Sequence, residues 1–137
     1  MQKLILTLLL SYSLAQNVTL PSGTKLIGRA CPDNTALRCF FGVPFAEPPT
    51  GDNRFRPPVP YNYTESEITV QNHGSKCYQG SGGSEDCLYM DIYAPAENVT
   101  IKSVMVWLHG GCFTSGSAVN YQGQDLATTG DVLVVTL

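Results

Sequence analysis

Apolar and polar positions alternate in short runs rather than in helical periods. Residues 88–93 (Leu-Tyr-Met-Asp-Ile-Tyr) and 103–108 (Ser-Val-Met-Val-Trp-Leu) have the length and the β-branched or aromatic content of strands, with a turn over 95–100 between them. Residues 131–137, Asp131-Val-Leu-Val-Val-Thr-Leu137, read as a strand buried on both faces. Upstream, residues 19–28 alternate loosely and 36–43 are apolar and aromatic, with Pro32-Asp-Asn-Thr35 as a turn, which predicts an N-terminal hairpin. Six prolines between Pro44 and Pro60 remove backbone donors and fix φ, so that segment is expected as an extended surface connection. Only 122–129 has a helical pattern, and it is short and flanked by glycines. Antiparallel strands that lead into strand, loop, short helix and strand are how a mixed α/β sheet begins.

The first fifteen residues change the picture. Lys3, an apolar stretch over 4–10 and the small residues Ser13 and Ala15 form the pattern of a cleaved secretory signal, residues 1–15, with the mature domain running over 16–137. The apolar stretch is far shorter than the roughly 20 residues a bilayer span requires, so no membrane span is expected. Loss of this segment takes Lys3 alone among the charged residues and moves the formal net charge from -3 to -4, which offers nothing to nucleic acid. Three acceptor sequons, at Asn17, Asn62 and Asn98, point to the same secreted or extracellular compartment. In such a compartment the five cysteines read as disulfide candidates; with no CxxC and no closely spaced His pair, neither metal nor cofactor is expected. Cys31 and Cys39 flank the hairpin turn and can bridge it if their Cα atoms come within about 7 Å.

The segment richest in chemistry is Val104-Met-Val-Trp-Leu-His-Gly-Gly-Cys-Phe113, an apolar strand running directly into two glycines. When a serine attacks an ester carbonyl, negative charge develops on the oxygen, and backbone N–H groups must approach it closely. Glycines let the main chain come that near and turn its amides inward. A Gly-Gly pair also makes a plain tight turn, with His109 as its hydrogen-bonding prop. Placement after this strand and before Phe113 and Gly116-Ser-Ala118 favours the oxyanion loop of lipases and esterases.

Three motifs occur in a fixed order: Phe41-Gly-Val-Pro-Phe-Ala-Glu-Pro-Pro49 with Arg54-Phe-Arg-Pro-Pro58, then Ser84-Glu-Asp-Cys-Leu-Tyr-Met-Asp-Ile-Tyr-Ala-Pro95, then the His-Gly-Gly strand. Together they resemble the opening third of type-B carboxylesterases, the cholinesterase-like family, and this implies the N-terminal portion of an α/β-hydrolase fold. The resemblance implies oxyanion donors at the amides of Gly111 and Cys112, with Gly110 and His109 supporting the loop. Cys112 departs from the pattern, where Gly or Ala stands; its N–H still donates, and with no basic neighbour its thiol reads as an inert small hydrophobe. The resemblance further implies a Cys77–Cys87 disulfide and a structural ion pair between Arg54 and Glu85. No Trp lies between Cys77 and Cys87, so the likeness is to general carboxylesterases and not to choline-specific enzymes, whose corresponding loop carries one. Trp107 is expected in the core, Asp86 and Asp91 as solvated or capping carboxylates, and His73 at the surface.

A serine hydrolase also needs a nucleophile on a Gly-x-Ser-x-Gly elbow and a histidine base oriented by an acid. No such pentapeptide occurs, and the two histidines, His73 and His109, do not correspond to the family's base. The expectation is therefore a secreted, glycosylated serine esterase acting on a small-molecule ester. In that reading this chain supplies the oxyanion loop, lacks the triad and is inactive alone. The alternative is a catalytically inactive adhesion or binding protein of the neuroligin kind, which shares the fold.

Overall fold

A computed structural model describes residues 16–80, 82–96 and 101–137. The expected signal segment, the tip residue Ser81, the Asn98 sequon and most of the expected 95–100 turn lie outside the described residues. Two sheets form. The smaller one has the order β1-β2-β5, made of β1 (Asn17–Thr19), β2 (Lys25–Ile27) and β5 (Glu67–Thr69). The larger contains β3 (Arg29–Cys31), β4 (Asn34–Pro44), β6 (Tyr89–Pro95), β7 (Val104–Trp107) and β8 (Leu133–Thr136) in the order β3-β4-β6-β8-β7. Pairing in the larger sheet is antiparallel up to β8, and β7 runs parallel to β8. A parallel neighbour requires a crossover of a dozen or more residues, and the short helix α1 (Gln124–Gly130) lies on that crossover.

The eleven-residue β4 shows why the apolar run at 36–43 becomes an interior strand. Leu37, Cys39 and Phe41 point to one face, where they pack with Cys31, Tyr93, Val134 and Ala127 of α1. Phe40 points to the other, and a bulge between Phe40 and Val43 brings Val43 to the same side, against Leu26 of the small sheet and Val70 just after β5. Burial of each such side chain contributes about 1.5–3 kcal/mol. The bulge requires Gly42: its φ is 69°, and a Cβ there would lie 2.5 Å from the Asn72 carbonyl oxygen.

A hairpin forms around the expected turn, but its first arm is not the predicted 19–28: residues 29–31 pair with β4 across a turn in which Asp33 adopts φ 61°, while 25–27 joins the small sheet. Gly28 is the switch between sheets, since a Cβ there would lie 2.6 Å from the Cys39 carbonyl oxygen and 2.7 Å from the Phe40 ring. Cys31 and Cys39 form a buried disulfide with Cα atoms 5.0 Å apart, worth roughly 2.5 kcal/mol for a loop of this length. The proline-rich segment is extended, with Pro44 and Ala46 buried and residues 50–60 exposed, and is interrupted by one 3-10 turn at Gly51–Asn53. Among the described residues no helix is long and apolar enough to cross a membrane.

Two expectations fail. Trp107 is 51% exposed, because β7 is the edge strand and all four of its residues are uncovered. Asp91 is neither solvated nor capping: it faces inward with Tyr93 on β6 and is 3% exposed.

Candidate active site at the loop after β7

The β7–β8 ladder continues beyond the strands, with the Leu137 N–H donating to the Trp107 carbonyl at 3.1 Å and the His109 N–H to the Leu137 carbonyl at 3.4 Å. The chain leaves the sheet at Gly110. Gly111 takes φ 134°, then Cys112 and Phe113 take φ 53° and 59°. The turn closes on the Gly111 carbonyl, which accepts the Thr114 N–H at 2.9 Å, the Ser115 N–H at 3.2 Å and the Thr114 hydroxyl at 3.0 Å. Among the described residues the amides of Gly110, Gly111, Cys112 and Phe113 have no acceptor. Four successive free N–H groups at the C-terminal end of a strand can receive negative charge from a bound oxygen.

His109 Nδ1 lies 2.8 Å from the Gly110 carbonyl oxygen. A carbonyl only accepts, so this nitrogen carries the proton and the ring braces the turn; it also lies nearly parallel to Tyr121, with centroids 6.4 Å apart. Gly116 ends the arc at φ 121°. A cleft of about 310 Å³ opens beside the loop, lined by residues 109–116 with Tyr78 and Gln79; a second, of about 220 Å³, is lined by Phe45, Asp91, His109 and Val119.

Cys112 is exposed and unpaired with any cysteine. A non-glycine residue in the left-handed region costs about 1–2 kcal/mol. Cys112→Gly is therefore expected to raise the unfolding free energy by about 1 kcal/mol, read as a higher urea midpoint at an unchanged slope. A lower midpoint would mean that the Cys112 side chain makes contacts that outweigh the strain.

The other expected site residues fall as follows. Cys77 and Cys87 are bonded, with Cα atoms 4.9 Å apart, and the disulfide closes a small hairpin beside the loop. Arg54 meets Glu85 at 2.8 Å, and its guanidinium lies 4.9 Å above the Phe55 ring. Both side chains of the pair are about half exposed, which limits it to about 0–1 kcal/mol. Asn62 is exposed and Asn17 half-buried in β1. Asp86 accepts the Tyr89 hydroxyl at 2.8 Å; burial first, and this bond second, push the Tyr89 phenol up to about 12.

Two constellations escaped the sequence reading. Asp91 accepts the Gly42 N–H at 2.9 Å and sits 2.6 Å from His73 Nδ1, while the His73 ring stacks on Phe41 at 4.2 Å. His73 is thus not a free surface residue. The available signal was parity, since Asp91 shares its face of β6 with the fully buried Tyr93. The second is a pair of hydrogen bonds between Gln79 and Gly116, for which a glutamine in a Gly/Ser-rich stretch gives no signal.

The family model described as the carboxylesterase family matches residues 15–137. Carboxylesterase 5A of Mus musculus is 41% identical over 82% of this chain, acetylcholinesterase of Electrophorus electricus 38% over 84%, and para-nitrobenzyl esterase of Bacillus subtilis (strain 168) 40% over 70%. The chain spans about a fifth of the length of these curated relatives, 21–22%. The crystal structure of a Geobacillus stearothermophilus carboxylesterase superimposes with a TM-score of 0.80 at 35% identity, covering 88% of this chain and 26% of that one. A thermophilic para-nitrobenzyl esterase superimposes with a TM-score of 0.78 at 34% identity, covering 88% and 27%. The chain therefore belongs to the carboxylesterase family and folds as the N-terminal portion of an α/β-hydrolase.

Proposed function

We propose that the protein carrying this chain hydrolyses small carboxylic esters through an acyl-serine intermediate, and that residues 16–137 are the N-terminal part of its catalytic domain. The observation that carries this reading is the row of unpaired amides from Gly110 to Phe113 at the C-terminal end of β7. In the first step a serine oxygen bonds to the ester carbonyl carbon while a histidine base takes the hydroxyl proton, and the carbonyl electron pair moves onto oxygen. The amides of Gly111 and Cys112 hold that oxyanion; removal of one such donor typically lowers kcat by about 10²–10³-fold. Collapse of the intermediate expels the alkoxide, which takes the proton from the histidine. Water repeats the sequence on the acyl-enzyme and releases the acid. Neither histidine here is assigned as that base: His109 braces its own turn, and His73, though held by Asp91 at Nδ1 as a catalytic histidine is held by its acid, does not correspond in position to the family's base. Serine, acid and base are assigned to parts of the fold outside these residues. The exposed edge of β7 is where the sheet has room for the strand leading to the nucleophile elbow.

Secretion is part of the same proposal. It is supported by the signal-like residues 1–15, by two disulfides suited to an oxidising compartment, and by sequons at Asn17, Asn62 and Asn98. Names among the relatives support general ester hydrolysis.

The test compares the 137-residue chain with the complete product of the native reading frame on a simple aryl ester. The chain alone is expected to give no turnover above buffer. A product that continues into Gly-x-Ser-x-Gly is expected to turn over and to be blocked by a serine-reactive phosphonate. Continuation with the serine replaced, and no turnover, would reject the enzyme in favour of the adhesion reading.

A further inference from the structure

Gly116 closes the loop that begins at Gly110, and both of its backbone groups turn outward to a single side chain. Its N–H donates to Gln79 Oε1 at 3.1 Å, and its carbonyl oxygen accepts a hydrogen bond from Gln79 Nε2. A primary amide carries one acceptor oxygen and one donor nitrogen, so only one orientation of the Gln79 side chain satisfies both groups. Gln79 pairs with Gly116 as a neighbouring strand would. Gly116 is confined on its Cα side as well: a Cβ there would overlap the His109 ring and lie 2.6 Å from the Gly110 carbonyl oxygen. The far end of the arc is therefore held against its beginning, and Gln79 anchors that closure from outside.

The base of this anchor is itself held by a disulfide and by backbone bonds. Gln79 lies within the loop closed by the Cys77–Cys87 disulfide, and its N–H donates to the Gly82 carbonyl at 3.2 Å. Tyr78 bonds to the Ser84 carbonyl at 3.0 Å, and Ser84 to the Lys76 carbonyl at 2.9 Å. Gly83 packs so closely that a Cβ there would lie 2.5 Å from the Cys77 carbonyl oxygen. A disulfide-closed hairpin 37 residues upstream in sequence thus presents one amide to the loop that carries the free N–H groups.

We propose that Gln79 is the positioning residue of this loop. By pairing with Gly116 it ties the arc Gly110–Phe113 to the disulfide hairpin and keeps its amides preorganised. The catalytic consequence rests on the ester-hydrolysis reading; the structural clamp does not. Inside the loop the backbone bonds converge on one acceptor, the Gly111 carbonyl, and the His109 ring adds one bond to the Gly110 carbonyl, while Cys112 and Phe113 sit in a conformation that side chains disfavour. Without the outer anchor the arc relaxes and its amides lose their common aim. A ground-state ester senses this little and an oxyanion senses it strongly, so the loss falls on kcat rather than KM.

Two substitutions separate the bonds from mere packing. Gln79→Met keeps the length of the side chain and removes both bonds. Gln79→Glu keeps an acceptor for the Gly116 N–H but sets a negative oxygen against the Gly116 carbonyl. In the complete product of the native reading frame, hydrogen exchange of the bonded loop amides within 109–117, those of Thr114, Ser115 and Gly116, is expected to accelerate about tenfold in Gln79→Met, with peptides of β4 and β6 unchanged. For ester turnover, kcat is expected to fall about 10- to 100-fold in both variants while KM stays within about threefold. Unchanged exchange over 109–117, or acceleration spread equally over β4 and β6, overturns the clamp. Local acceleration with the parental kcat, or a loss confined to KM, overturns the positioning role. A parent protein without ester turnover sinks the ester-hydrolysis reading alone, and the exchange measurement then decides the clamp.

Discussion

Gly111→Ala is expected to lower the ester turnover of the complete protein by about 10²–10³-fold in kcat with little change in KM. The reason is steric before it is chemical. At φ 134° Gly111 occupies a region that residues with a side chain rarely adopt, and a Cβ there would overlap the Ser115 carbonyl oxygen, far inside van der Waals contact. That carbonyl belongs to the backbone and has no rotamer to move into, so the arc must open. Opening breaks the three bonds to the Gly111 carbonyl and re-aims the amides of Gly111 and Cys112. The loop is exposed and packs little core, so the global urea midpoint is expected to fall by less than the equivalent of about 1.5 kcal/mol. Steady-state kinetics with active-site titration separate the two effects. A variant that keeps more than a tenth of the parental kcat would show that these amides are not the oxyanion donors.

Asp91→Ala is expected to be the most destabilising single change in the described fold outside the apolar core, at about 3 kcal/mol. Asp91 joins three elements: it lies on β6, accepts the N–H of Gly42 in the β4 bulge, and engages His73 in the segment that packs on Phe41. Alanine leaves the Gly42 N–H unpaired beside a positive-φ bulge that cannot rearrange, because Gly42 packs against the Asn72 carbonyl. Loss of a charge-assisted bond together with a stranded donor accounts for the magnitude; the His73 side chain, 31% exposed, recovers part of its own loss from water. Asp91→Asn retains an acceptor for Gly42 and is expected to cost about 1 kcal/mol. Urea unfolding of both variants supplies the comparison. A cost for Asp91→Ala below about 0.5 kcal/mol would mean that solvent replaces the carboxylate and that the bridge does not hold these elements together.

Both predictions concern features of different legibility. The loop was readable because its requirement is local: an apolar strand that runs straight into His109-Gly-Gly needs no distant partner to be recognised, and glycine is required where main chain approaches main chain. The Asp91 bridge was readable only in part. Alternation on β6 puts Asp91 on the face of Tyr93, yet its partners come from residues 42 and 73, and nothing in residues 84–95 names them. Gln79 was not readable at all, since the geometry that makes it an anchor belongs to Gly116. Trp107 was misread for a related reason. Its strand is apolar enough for a core, but burial depends on what covers β7, and no described element pairs with its outer edge.

The amino-acid sequence by itself determined the strands as short apolar runs, the proline-rich segment as irregular, the order of the three motifs and the position of the glycine loop after His109. Each of these follows from backbone dihedral preferences and from the period with which side chains alternate, which are properties of neighbours along the chain. The tertiary structure decided which strands pair, placing β8 between β6 and β7 and switching the chain between sheets at Gly28. It also decided that Asp91 is buried and that Gln79 holds Gly116. These outcomes depend on where distant backbone groups find partners once water is excluded, a condition met only by the folded chain as a whole.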